Sequence, residues 1–140
     1  MADVCRLPDD LPDRSGTMIQ GVVNAHRAAV VRLRVRGPGG VEVEVDAIID
    51  TGFTSYLTLP ASTVAALGLA RESGGKAVLG DGSASRFDIC PAEVEWGGIW
   101  QTVLVSALGN ETLLGMRLLE GHKLVIDVVL GGLVEILPLP

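Results

Sequence analysis

From Ala29 to Asp46 the sequence alternates apolar and charged residues with a period of two. Val31, Leu33 and Val35 alternate with Arg32, Arg34 and Arg36. Beyond Gly37-Pro38-Gly39-Gly40, Val43 and Val45 alternate with Glu42, Glu44 and Asp46. Period two on both sides of a Gly/Pro turn specifies a β-hairpin with one face in a core. Opposed residues share a face, so apolar must meet apolar. Setting Arg36 against Glu42, Arg34 against Glu44 and Arg32 against Asp46 satisfies this, and so does a slip of two residues that sets Arg34 against Glu42. A slip of one would set arginines against valines, so the loop holds an odd number of residues. The arginines read as a solvated strand face with modest ion pairs, not as an anion site.

A chain of 140 residues fits one domain. It is too short for a doubly wound nucleotide-binding enzyme with a substrate domain, or for a TIM barrel. Apolar residues make up 48% and aromatics 4%, so the core is built from Val, Leu, Ile and Ala. Eighteen glycines point to many tight turns between short strands. The net charge is −6, which disfavours nucleic acid as a partner. Cys5 and Cys90 are too few for a disulfide scaffold, and no C-x2-C spacing suggests a metal. No metal and no cofactor are expected. The first ten residues lack the apolar segment of a secretory signal. The most apolar stretch, 124–137, is interrupted by Asp127, Gly131, Gly132 and Glu135, so no membrane partner is expected. These features read together as a cytoplasmic protein of a reducing compartment.

Residues 1–17 carry Asp3, Asp9, Asp10 and Asp13 with two prolines and read as a flexible arm ahead of a domain over 18–140. Within that domain strands are expected over 18–23, 56–59, 76–79, 83–90, 92–96, 99–107, 124–129 and 133–137, besides the hairpin. Pro60 takes the first position of a helix that Gly68 ends, and a second short helix over 116–120 is closed by Gly121. Asp81-Gly82 is a hairpin-turn signal. The expected fold is a small closed, mostly antiparallel β-barrel with two short helices.

The hairpin's second strand loses its alternation at Ala47-Ile48-Ile49, which implies burial on both faces, and then runs into Asp50-Thr51-Gly52. A carboxyl at the end of a buried strand is costly unless it is paired or hydrogen-bonded. Two carboxylates about 3 Å apart share a proton; one then takes a proton from water while the other gives one to a carbonyl. A small residue after Asp-Thr lets the backbone approach the carboxyl and donate an N–H.

With Ile48-Ile49 before it, Leu57-Thr58-Leu59-Pro60 after it, a helix ending Leu67-Gly68-Leu69, a turn at Gly80-Asp81-Gly82-Ser83, and Leu113-Leu114-Gly115-Met116 leading through Leu118-Leu119 and His122 to Ile126-Asp127, the chain resembles the retropepsin-like aspartic proteases. The resemblance covers about Val30 to Leu137. It is nearer the cellular and bacterial branch, which includes the protease-like domain of the DNA-damage-inducible ubiquitin-shuttle proteins, than the retroviral enzymes. It implies Asp50 as catalytic carboxylate, Thr51 as an inter-subunit grip, and Gly52 as an N–H donor. It also implies Gly80, Asp81, Gly82 and Ser83 as a flap tip over substrate, and Leu113, Leu114 and Gly115 as a support beneath the active-site loop. Phe53 departs from the small residue usual after the glycine and reads as a packing or subsite residue. Asp81 adds a negative charge near the carboxylates.

No other aspartate is followed by Thr/Ser-Gly, so a two-lobed monomer is excluded and a working dyad requires a homodimer. Met18–Val23 and Leu133–Leu137 read as strands that pair across that dimer. Asp127 reads as a solvent- or amide-facing carboxylate, His122 as a helix-end cap, Cys90 as a buried thiol, and Trp96 with Trp100 as packing across a hairpin. Neither a phosphate loop nor a nucleophile elbow occurs. The expected function is a homodimeric aspartic endopeptidase acting on extended peptide or protein substrates. The alternative is a peptide-binding module on the same fold.

Overall fold

The computed structural model describes residues 18–78 and 80–140, and the arm expected over 1–17 lies outside the described residues. The Arg/Glu hairpin forms as β2 (Ala29–Arg36) and β3 (Glu42–Ile49). It takes the first of the two registers: Arg36 opposes Glu42, Arg34 opposes Glu44 and Arg32 opposes Asp46. The loop has the odd length that register demands, closed by the Gly37 N–H on Val41 O at 3.0 Å. Arg32 bonds the opposed Asp46 at 2.9 Å, whereas Arg34 leans diagonally to Glu42 at 2.6 Å. Val31, Leu33 and Val35 on the other face are buried.

β1 (Ile19–Val23), β4 (Leu57–Leu59), β5 (Ser73–Val78), β6 (Ala84–Trp96), β7 (Ile99–Ala107), β8 (Leu113–Leu114), β9 (His122–Ile126) and β10 (Leu133–Pro138) complete a ten-stranded sheet in the order β5-β6-β7-β4-β8-β3-β2-β1-β10-β9. A short β2–β6 pairing at Val35–Val94 and Arg36–Glu93 turns the central strands back on themselves. The sheet is mostly antiparallel, with parallel pairings at β3–β8 and β4–β7. The expected mostly β class with two short helices is found. The β2–β6 contact spans only two residue pairs, and this ring of strands is not a closed barrel. Its core is aliphatic, with Leu57, Leu59, Val94, Val105, Leu114 and Ile136 fully buried.

α1 (Ala61–Leu67) begins one residue later than expected, with Pro60 as N-cap at ψ 150°, and ends at Gly68 in the left-handed region. α2 (Met116–Leu119) is a single turn. Several elements differ from the sequence reading. β6 runs unbroken through Pro91, because there the strand changes neighbours: β5 pairs with it up to Ile89 and β2 only from Glu93, so no ladder on that side needs the missing N–H. Trp96 and Trp100 do not pack on each other. Trp96 opposes Ile99 and Trp100 opposes Glu95, and the pleat sends the two rings to opposite faces. Trp96 meets His122 edge-on in the core, and Trp100 lies under the Arg36 guanidinium at 4.0 Å. β9 stops at Ile126 because the chain folds back, with Gly132 N–H on Val129 O and Gly131 N–H on Val23 O. Asp127 is exposed just beyond it, and His122 Nδ1 lies 3.0 Å from Glu120 O. Cys90 is buried, which pushes its thiol up.

The terminal strands also differ. β1 is paired on both edges within the chain, by β2 and β10, and β10 is held between β1 and β9. Among the described residues most of both strands is thus paired within the chain, β2 reaching β1 only at Gly21–Val23, and the outer edge of this end of the sheet is β9.

Candidate active site

Asp50 is the first residue past β3, and β8 holds it there. Ile48 and Ile49 pair in parallel with Leu113 and Leu114. The Asp50 N–H donates to Leu114 O at 2.9 Å, which fixes the backbone at the strand's last rung. The chain then turns tightly. The Gly52 N–H donates to Asp50 Oδ1 at 2.9 Å and the Phe53 N–H to Asp50 O at 3.1 Å. The first bond aims one carboxylate oxygen back over the turn, which leaves the rest of a half-buried carboxyl free for a ligand. Thr51 and Gly52 are exposed.

The far side of this loop is gripped by the start of α2. A helix leaves its first N–H groups without intrahelical partners. Here the loop supplies the acceptors: Gly115 N–H donates to Tyr56 O at 2.9 Å, Met116 N–H to Phe53 O at 2.8 Å, and Arg117 N–H to Ser55 O at 3.1 Å. Leu114 and Gly115 therefore bond the two ends of the 50–56 loop, whereas Leu113 pairs with Ile48 and bonds Thr58 outside it. Gly115 is buried in the contact. An added Cβ would lie 2.6 Å from Phe53 Cδ2 and still closer to Ser55 O. The Phe53 ring thus packs on Gly115 as part of the loop's support.

Thr58 is a member of this assembly that the sequence reading missed. Although it alternates with the buried Leu57 and Leu59, it too is buried, 2% exposed. Its hydroxyl accepts from the Leu113 N–H at 2.8 Å and donates to Glu111 O at 2.9 Å, pinning the strand that carries Leu114 to β4. Thr58→Val keeps the shape but orphans both backbone groups. The expected loss is about 2 kcal/mol of stability, read by urea unfolding, because a buried group without a partner costs its desolvation. Thr58→Ser keeps the hydroxyl and is expected to lose less.

The turn at Gly80-Asp81-Gly82-Ser83 is also formed, at the far tip of the β5–β6 hairpin. Asp81 Oδ1 accepts from the Ser83 N–H at 2.9 Å and from its hydroxyl at 2.6 Å. These bonds, the hydroxyl's first, hold the Asp81 carboxyl below the usual carboxylate range. Gly82 at φ +84° completes the turn. Its charge is thus held within the turn by Ser83. No hydrogen bond or ion pair among the described residues joins this turn to Asp50. Among the same residues no three His, Cys, Asp or Glu side chains gather in a metal-binding group, and no helix is long and apolar enough to cross a membrane.

No protein-family model and no curated protein matches the sequence. Among solved structures, a retropepsin-like aspartic protease from Rickettsia conorii aligns with a TM-score of 0.51 and 20% identity, over 85% of this chain and 89% of that one. EIAV protease complexed with the inhibitor HBY-793 aligns with a TM-score of 0.44 and 16% identity, over 66% of this chain and 86% of that one. On the Rickettsia conorii alignment, the chain has the fold of a retropepsin-like aspartic protease.

Proposed function

We propose that this chain is one subunit of a homodimeric aspartic endopeptidase that hydrolyses extended peptides with water held between two Asp50 carboxylates, one per subunit. The observation that carries the reading is the geometry of the Asp50-Thr51-Gly52 turn. A carboxylate stands at the end of a half-buried strand, one oxygen held by the Gly52 N–H, on a loop clamped by Leu114 O and the first N–H groups of α2. An ordinary surface turn needs no such clamp; a catalytic group needs its position fixed closely.

One such carboxyl is a poor activator of water. Two in contact share one proton, so one accepts a proton from water as the water attacks the peptide carbonyl. The other protonates the carbonyl oxygen, and a second transfer delivers a proton to the departing nitrogen. The exposed Thr51 beside Asp50 ties the two loops together in this reading. The β5–β6 hairpin is the flap, and Gly80 to Ser83 its tip.

The test is cleavage of a diverse peptide mixture between pH 4 and 7, with new termini read by mass spectrometry. Wild type is expected to cut and Asp50→Ala to be inactive at an unchanged circular-dichroism spectrum. Equal cleavage by both would remove the proposal. No cleavage by a folded wild-type dimer would favour the peptide-binding module instead.

A further inference from the structure

We propose that the β5–β6 hairpin holds a carboxylate of the bound peptide between Lys76 and Arg86, so that this site takes acidic peptides. The inference rests on the peptide-cleft reading above and adds the substrate class. Across β5 and β6, Lys76 directly opposes Arg86. Like charges opposed on a strand pair destabilise it. Elsewhere the described strand pairs avoid this arrangement. All three arginines of β2 oppose carboxylates on β3, and Arg34 and Arg36 reach Glu95 and Glu93 of β6 besides. Lys76 and Arg86 have no carboxylate within ion-pair distance among the described residues.

Two nearby carboxylates are already engaged, and Glu72, just before β5, forms no ion pair with either cation. Asp88 bonds Arg71 at 3.0 Å, and Asp81 is folded onto Ser83. A cleft of about 540 Å³ at this hairpin is lined by Arg71, Lys76, Arg86 and Asp88, among others, while the Phe87 ring packs against Gly75 on the next rung. Three cations therefore face one carboxylate in a chain whose net charge is −6.

The pleat gives this face its direction. Arg86 and Asp88 share parity along β6 with Cys90, Ala92, Val94 and Trp96, all of which are buried in the body. The cationic face thus continues the core-facing side of β6 beyond the end of the core, on the side where a flap covers its ligand. A carboxylate there removes the Lys76–Arg86 repulsion and gains two charge-assisted bonds at once. In an acidic chain, this local positive field is what attracts an acidic ligand.

The test uses Asp50→Asn protein, so that binding is read without turnover. Labelled peptides with an apolar centre carry Glu, or Gln in its place, at successive flanking positions, and affinities are read by fluorescence anisotropy. At one or two positions the Glu peptide is expected to bind about fivefold tighter than its Gln twin, with the preference falling in high salt. Lys76→Glu sets opposite charges across the hairpin, so it folds at least as well, and is expected to abolish the preference. Lys76→Glu with Arg86→Glu is expected to turn it towards Lys. No preference at any position, no peptide binding, or a preference that survives both substitutions overturns the inference. Cleavage by wild type without acid selectivity would sink this inference and spare the protease reading. Acid-selective binding without cleavage would do the reverse.

Discussion

Co-refolding wild-type chains with a ninefold excess of Asp50→Ala chains is expected to cut peptidase activity to about a tenth, because active homodimers then become rare. The mutant itself is inert, so the loss comes only from wild-type subunits drawn into mixed dimers that carry one carboxylate. The variant should pair normally. The Asp50 backbone bond to Leu114 O does not use the side chain, and the bond surrendered, Gly52 N–H to Oδ1, is exposed. Its loss costs about 1 kcal/mol at most. A chain that completed its own active site would show no loss at any ratio. Activity that stays constant across the titration, with exchange proven by mass spectrometry of labelled subunits, would remove the shared dyad. The chain contains a single Asp-Thr-Gly, so nothing else in it can supply the second carboxylate of this arrangement.

How much of this was legible depended on whether a feature is decided locally. The β2–β3 register was, because charge and apolarity alternate together and only even slips keep Arg32, Arg34 and Arg36 off the valines. The placement of Asp50 was in part, because alternation is lost at Ile48-Ile49 where β8 joins the other edge of β3, although of the expected buried run only Ala47 is fully buried and Ile48 and Ile49 are partly so. Decisions made by distant neighbours were not. Pro91 breaks a strand on propensity alone, and is harmless only because β5 leaves β6 before it and β2 arrives after it. The buried role of Thr58 is set by Glu111 and Leu113, more than fifty residues on, which bring it an acceptor and a donor. The apolar strands β1 and β10 looked like edges seeking a second subunit, but each covers the other within the chain. The Lys76–Arg86 conflict was invisible because the expected strand began at residue 76 and carried no register. Opposed like charges appear only once the pairing is known.

Gly115→Ala is expected to lower Tm by roughly 10 °C and to reduce kcat/KM by two orders of magnitude at temperatures where the variant is still folded. The backbone at Gly115 is not in the left-handed region, at φ −99°, so alanine loses nothing in conformation. The cost is steric. The new methyl would lie 2.6 Å from Phe53 Cδ2, 2.8 Å from Phe53 O and nearer still to Ser55 O. A ring can swing away, but carbonyl oxygens can retreat only by moving the loop. That loop is bonded to this same segment by Gly115 N–H on Tyr56 O and Met116 N–H on Phe53 O, so relief of the clash breaks the clamp. Overpacking against backbone at a buried site costs about 3 kcal/mol. The activity loss should exceed what that destabilisation implies, because the displaced segment is the one that positions Asp50. Phe53→Ala added to Gly115→Ala clears the ring but leaves both oxygens, and is expected not to rescue. Gly39→Ala, with nothing within 4 Å of its added methyl, is expected to be silent in both measurements. A Gly115→Ala variant with wild-type turnover would show that the loop does not need this support, and would weaken the case that the clamp exists to hold a catalytic carboxylate.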